Sequence, residues 1–317
     1  MNEYDLIRGL FGRDVPDLFA SDAQFFQTGD GEWGVTCDTF TPEDDGFDPA
    51  DARLLGANVV RGTLSDLAAS GCDAAFFLHA ATFPRGASAA WCEGYARGVR
   101  EALAEAGCRL LGGDTGEADA PSFTGIALGP RRRALSRRLP PGPHRLWTTG
   151  PFGAFNAAAA AGRPAPAIPL RRPPPCTDAC IDTSGGFADA VWLLHAENPG
   201  FDFDLRGVPV VPPGDPALLF GGAGEYELLF AAPPDAPAPA GCLPVGEARP
   251  ARGEGRVTLD GVPLDAPPPD PRAFPDRAAY VAAVLSATRR FAKSNPRAES
   301  AESPDGRAPS RPAPAAP

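Results

Sequence analysis

Residues 179–200 read ACIDTSGGFADAVWLLHAENPG, and their order decides how the second half of the chain folds. An apolar approach runs into Asp182. Two small hydroxyl residues and two glycines follow. A helical pattern of Phe187, Val191 and Leu194 begins at once, and Asn198, Pro199 and Gly200 stop it. The order predicts strand, tight turn and helix. Such a junction is either a bare structural turn or a phosphate and metal site.

Outward from this junction, both halves mix strands and helices. Residues 1–14 have the pattern of a short helix, and residues 32–40 are strand-like. Asp48 is a candidate N-cap with Pro49 at the first helical position. In the helix that follows, Leu55, Val59, Gly62 and Asp66 share one face. Residues 72–83 predict a buried strand. Residues 88–107 predict an amphipathic helix with Trp91, Tyr95, Val99 and Leu103 four apart and Gly107 as its stop. Residues 108–129 read strand, acidic turn, strand. Past the junction come alternating FDFDL (201–205), a turn-rich hairpin over 246–264, and a helix carrying Tyr280, Val284 and Phe291. The pattern predicts an α+β (α/β) protein of two domains, 1–145 and 146–292, parted at the Arg- and Pro-rich stretch 131–145. Residues 293–317 have the composition of a disordered tail.

Composition bounds the function. The chain has 317 residues, 43% of them hydrophobic, which is enough for a sizeable core. No run approaches the roughly 18 apolar residues of a membrane span, and the first seventeen residues do not form a signal peptide. A formal charge of −11 argues against a nucleic-acid partner and suits carboxylates that bind cations. Seven scattered cysteines point to reduced thiols in the cytoplasm. Cys176 and Cys180 lie four apart, but no further pair completes a zinc set. The histidines, 79, 144 and 195, read as core or surface residues. Lys293 is the only lysine, so a Walker A lysine or a lysine nucleophile in the body is excluded.

Chemistry concentrates on aspartates. Asp22, Asp38, Asp66 and Asp114 each stand at the end or on the face of a predicted element beside small residues, and Asp182 adds a fifth. Mg²⁺ takes hard oxygen ligands and is held by one or two carboxylates plus substrate phosphates. Gly112 and Gly113 would let backbone N–H groups approach a phosphate. Each aspartate alone reads equally as a turn or a cap. The case lies in their combination.

Five segments in order, SDLAASG (65–71), LLGGDT (110–115), IDTSGGF (181–187), GEYELLF (224–230) and PVGEA (244–248), resemble thiamine-monophosphate kinase. That family belongs to the aminoimidazole-ribonucleotide synthetase and selenophosphate synthetase superfamily. The resemblance covers roughly residues 1–265. It implies an aminoimidazole-ribonucleotide-synthetase-like fold, with a dimerising N-terminal domain that binds ATP and Mg²⁺ and a C-terminal α/β domain. It implies ATP bound without a P-loop and transfer of its γ-phosphoryl to thiamine monophosphate, giving thiamine diphosphate. By position, the resemblance assigns Asp22, Thr36, Asp38, Asp66, Asp114 and Asp182 to metal. It assigns Gly113, Asp114, Arg137 and Ser184 to ATP, and Asp45 and Glu225 to the substrate side.

The chain departs from the family at several places. Ser21 replaces an acid, Cys37 a metal-strand hydroxyl, and Gly185 the second carboxylate of the Asp182 motif. The substrate-facing His of the 43–47 segment and a Trp after residue 265 are missing. Three readings follow: an active thiamine-phosphate kinase, a superfamily enzyme using ATP on another small substrate, and a nucleotide-binding dimer with little catalysis.

Overall fold

The computed structural model describes residues 3–12, 14–15, 17–212, 215–275 and 277–292. A short helix, α1 (Glu3–Phe11), leads into the first sheet. Its strands are β1 (Gln24–Thr28), β2 (Gly31–Phe40), β3 (Phe76–Pro84), β4 (Arg109–Ala118) and β5 (Ser122–Pro130), in the spatial order β1-β2-β5-β3-β4. Helices α2 (Ala52–Ala69) and α3 (Ala89–Ala106) complete the layer. β3 and β4 run parallel, with α3 as the crossover, and the other neighbours are antiparallel. The α2–α3 contact depends on two glycines. A Cβ on Gly56 would stand 2.3 Å from the Tyr95 carbonyl oxygen, and one on Gly98 would stand 1.9 Å from that of Arg53.

The second sheet has seven strands. They are β6 (His144–Thr148), β7 (Ala179–Asp182), β8 (Phe201–Leu205), β9 (Leu228–Ala232), β10 (Leu243–Pro250), β11 (Val257–Leu259) and β12 (Val262–Pro263), ordered β12-β11-β8-β10-β6-β9-β7. Helices α4 (Ala154–Ala160), α5 (Phe187–Ala196) and α6 (Arg277–Ala292) lie among them. Each sheet has its own core. The first is built on Leu55, Val59, Leu67, Phe77, Tyr95 and Phe123. The second is built on Leu146, Ile181, Phe187, Val191, Phe203 and Leu229. Phe155, Ile168 and Tyr226 come from the second half of the chain yet pack in the first core, which ties the halves together.

The expected helices at 88–107 and 187–196 form as read. Ser88 caps α3 through its hydroxyl, and Gly107 ends it in the left-handed region at φ +69°. Other expectations are corrected. Asp51, not Asp48, caps α2, accepting from Leu54 N at 2.9 Å. Asp48 holds the preceding turn through Ala50 N. Both are aspartates with a backbone N–H in reach, and only the structure shows which one the helix uses. The strand, acidic turn, strand reading of 108–129 does hold: β4 runs through Gly112, Gly113 and Asp114 as it pairs along β3, and the turn falls at residues 119–121 with Asp119. The expected 246–264 hairpin is only β11–β12, since β10 inserts between β8 and β6. The tail over 293–317, with Lys293, lies outside the described residues.

Candidate functional site

β7 is buried at every residue and ends on Asp182, only 4% exposed. The turn that follows is closed by Gly186 N donating to Thr183 O at 2.9 Å, while the Thr183 hydroxyl donates to Glu227 O. Gly186 caps α5 at φ +94°, and a Cβ there would meet Gly221 O at 2.5 Å. A glycine is therefore required for two reasons, backbone conformation and close approach. The strand–turn–helix reading of 179–200 is the observed one.

Asp182 does not stand alone. Asp66 projects from the last turns of α2, and Asp22 lies just ahead of β1. One carboxylate oxygen from each of Asp22, Asp66 and Asp182 lies within 4.8 Å of the other two. The Arg137 guanidinium binds Asp22 at 2.7 Å and also donates to Phe19 O at 3.1 Å. Thr36 donates to Asp66 Oδ2 at 2.6 Å, and Ser184 donates to Asp182 Oδ1 at 2.9 Å. The remaining oxygens, Asp22 Oδ2 and Asp182 Oδ2, are buried and have no hydrogen-bond partner. Buried orphaned acceptors are costly, so this pair marks a place for a cation.

The electrostatics agree. Burial, with Asp182 and Asp22 nearby, pushes the Asp38 carboxyl up to about 7. Burial, then Asp22, raises Asp182 to about 6. Asp66 is driven well above the carboxylate range by burial, then by Asp38, Asp182 and Asp22. Like charges confined out of water cannot all ionise without a counter-ion. The donor set contains only oxygen atoms of carboxylates and a hydroxyl, which fits a hard divalent cation such as Mg²⁺.

The other expected site residues divide into three groups. Asp38 adjoins the cluster, and its charge is one of the causes that raise Asp66. Alternation along β2 turns Cys37 to the opposite, exposed face. Its weak metal affinity is thus immaterial to the cluster within this chain. Asp45 accepts from Thr41 N at 2.7 Å, and burial raises it to about 6.

Asp114 and Gly113 are not in the cluster: they lie on the exposed edge strand β4. Gly113 is needed there because a Cβ would stand 1.7 Å from His79 O. Glu225 is reassigned. Its carboxylate accepts from Phe155 N, Asn156 N and Asn156 Nδ2 at 3.0–3.4 Å, so it caps α4 from a distant part of the chain.

One residue escaped the sequence reading. Tyr226 is buried at φ +54°, against the Phe155 ring, and Asp45, Asp38, Asp182 and Asp66 all bear on its phenol. A non-glycine residue in that conformation is held by its surroundings; the sequence offers Tyr226 only as part of GEYELLF, with no role of its own.

Residues 20–130 match the family described as AIR synthase related protein, N-terminal domain. The thiamine-monophosphate kinase of Archaeoglobus fulgidus is 28% identical over 144 residues, 44% of this chain and 47% of that protein. The alignment thus spans about half the length of that relative. Among solved structures, AaThiL complexed with AMPPCP and TMP superposes with a TM-score of 0.71 at 19% identity, covering 83% of this chain and 94% of that one. The HypE of a HypE–HypF complex gives 0.65 at 17% identity, over 83% and 99%.

The class is defined by similarity: over residues 20–130 the chain is similar to the AIR synthase related N-terminal domain. Its two-sheet fold is similar to that of the solved thiamine-monophosphate kinases.

Proposed function

We propose that the chain is an ATP- and Mg²⁺-dependent kinase that transfers the γ-phosphoryl of ATP to thiamine monophosphate. The observation that carries this reading is the gathering of Asp22, Asp66 and Asp182 from both halves of the chain, with two buried carboxylate oxygens unpartnered. Asp22, Asp66 and Asp182, with Asp38 and Thr36 adjoining, would hold Mg²⁺, which neutralises phosphate charge when bound. The chain's own part is positioning. The Ser184 hydroxyl and the N-terminal N–H groups of α5 face the same turn and can bind phosphate oxygens. Arg137 pairs with Asp22 and orients it beside the cluster. Phosphoryl transfer asks the protein for little covalent work.

The active form on this reading is a homodimer. β4 is an unpaired edge strand, exposed from Arg109 to Glu117, with Leu110 and Leu111 45% and 48% exposed. A long exposed edge invites pairing, and Gly113 and Asp114 would then lie at the interface of two copies. A cytoplasmic setting suits seven free thiols. Among the described residues, no helix is long and apolar enough to cross a membrane.

The second reading is ATP-dependent chemistry on another small substrate. Glu225, expected on the substrate side, is engaged as a helix cap, and HypE shares the fold. Incubation of the pure protein with ATP, Mg²⁺ and thiamine monophosphate tests both. Formation of ADP and thiamine diphosphate is the expected result. Bound ATP without thiamine diphosphate would overturn the acceptor assignment and favour the second reading.

A further inference from the structure

Residues 163–174 form neither helix nor strand. They lead from α4 to β7, the strand that ends on Asp182. Prolines stand at 164, 166, 169, 173 and 174. Proline fixes φ and has no backbone N–H to give, so this strap is stiff and a few hydrogen bonds decide where it lies. Two side chains fasten it. Asn58, in the middle of α2 and 1% exposed, uses both ends of its amide. Its Nδ2 donates to Pro166 O at 3.0 Å, and its Oδ1 accepts from Ile168 N at 2.9 Å. Asparagine is a poor helix former; here its amide serves the strap and not the helix. Ile168 is itself buried in the first core.

The second fastening is Arg171. Its Nε and Nη2 fork onto the two carboxylate oxygens of Glu227, each at 2.7 Å. The Glu227 side chain is buried and also takes the Thr149 hydroxyl at 2.6 Å. Glu227 O accepts the Thr183 hydroxyl at 2.9 Å, and Thr183 directly follows Asp182. The strap is therefore tied at one end to the helix that carries Asp66 and at the other to the turn that carries Asp182. Asn58 and Asp66 are eight residues apart, about 12 Å along one helix. Asp66 and Asp182 come from opposite halves of the chain, yet one oxygen of each lies within 4.8 Å of the other. Like charges that close push apart, so the halves need a tie to keep them there.

We propose that Asn58 and Arg171 are positioning residues of the cation site, which hold Asp182 against Asp22 and Asp66 through the 163–174 strap. This rests on the cation reading above. Neither residue belongs to the acidic cluster; each acts by fixing the spacing of its acids. A strap that served stability alone would lower the melting temperature when unfastened and leave the cation affinity of the folded protein as it was.

The test uses the full chain with Mn²⁺ and the non-hydrolysable nucleotide AMPPCP, counting free Mn²⁺ by electron paramagnetic resonance well below the melting temperature of each variant. Asp66→Asn serves as the reference that removes the cluster. Asn58→Ala and Arg171→Ala are each expected to weaken Mn²⁺ binding about tenfold, the scale for losing a group that orients metal ligands, in protein that circular dichroism shows to be folded. Arg171→Lys keeps the charge beside Glu227 but not the fork, and should lose less. Ser88→Ala, which removes the cap of α3, is the control: it should lower the melting temperature and leave Mn²⁺ binding unchanged. Equal weakening by Ser88→Ala would mean general loosening and overturn the assignment. Should Asn58→Ala fail to fold, the two Arg171 variants decide by the same comparison. If the folded variants bind Mn²⁺ as the wild type does while Asp66→Asn loses it, the strap serves stability alone and only this proposal falls. A wild-type protein that binds no Mn²⁺ would remove the cation reading and this proposal with it.

Discussion

Two strands of this molecule look alike in sequence and part company in the fold. LLGGDT (110–115) and ACIDTS (179–184) each bring an aspartate to a run of small residues. Both belong to edge strands, β4 and β7. The free edge of β7 is covered: Cys180 N donates to Ser136 O at 2.9 Å, and α2 packs against the strand. Asp182 is thereby buried beside Asp22 and Asp66. The edge of β4 is bare, and Asp114 meets solvent. What separates them is cover. A carboxylate becomes a cation site when burial deprives it of water and neighbouring carboxylates crowd it, and neither condition is visible in a strand's own residues.

The largest effect expected comes from uncovering the buried side. Arg137→Ala leaves Asp22, whose side chain is 2% exposed, without its cation. The loss should be about 3 kcal/mol of stability by urea unfolding, the scale for breaking a buried pair, and Mg²⁺ should recover part of it. A loss below about 1 kcal/mol, the value for an exposed pair, would mean that Asp22 is hydrated and the contrast with Asp114 is false.

The next effect is pH dependence without metal. Asp38 is raised to about 7, and Asp182 and Asp45 to about 6. The unfolded carboxyls titrate near the ordinary value of about 4. Between those limits the folded state binds more protons, so stability falls as pH rises through 6 and 7. Mg²⁺ should reverse this, and the rise in Tm that it causes should grow from pH 5 to pH 8. A flat profile in EDTA would show that burial does not hold these acids above the ordinary carboxylate range.

A smaller effect tests the reassigned residue. Glu225→Ala removes the acceptor for two backbone N–H groups of α4. Loss of a helix cap costs about 1 kcal/mol. Mn²⁺ and nucleotide binding should be unchanged, and weaker binding would return Glu225 to the substrate side.

Legibility followed the range of the interactions. α3, α5 and the β7 turn are set by local periodicity, capping and glycines, so residues 88–107 and 179–200 could be read directly. The strand order is set by pairing between distant segments, and β10 entering between β8 and β6 left no local trace. Asp22, Asp66 and Asp182 could be singled out individually, but their meeting depends on the packing of both sheets. The helix-capping role of Glu225 and the conformation of Tyr226 are tertiary facts. So is the hold of Asn58 on Pro166 and Ile168: each residue is plain in the sequence, and their meeting is not.

The smallest effect on the isolated chain, and the sharpest for the comparison, belongs to Asp114. Its side chain lies on the exposed edge strand and is outside the acidic cluster. Asp114→Asn should change stability by no more than about 0.5 kcal/mol, as for other surface substitutions. Mn²⁺ binding at Asp22, Asp66 and Asp182 should also be unchanged in a protein diluted to the monomer. If two copies pair along β4, as proposed, Asp114 acts in the assembled dimer. Turnover should then fall at concentrations where light scattering shows a dimer. Equal Mn²⁺ affinity with reduced turnover would place the two strands in one reaction by different routes, β7 through burial within a chain and β4 through contact between chains. Reduced Mn²⁺ affinity in the monomer would instead mean that β4 reaches its own cluster, and that the bare edge is not what separates the two strands.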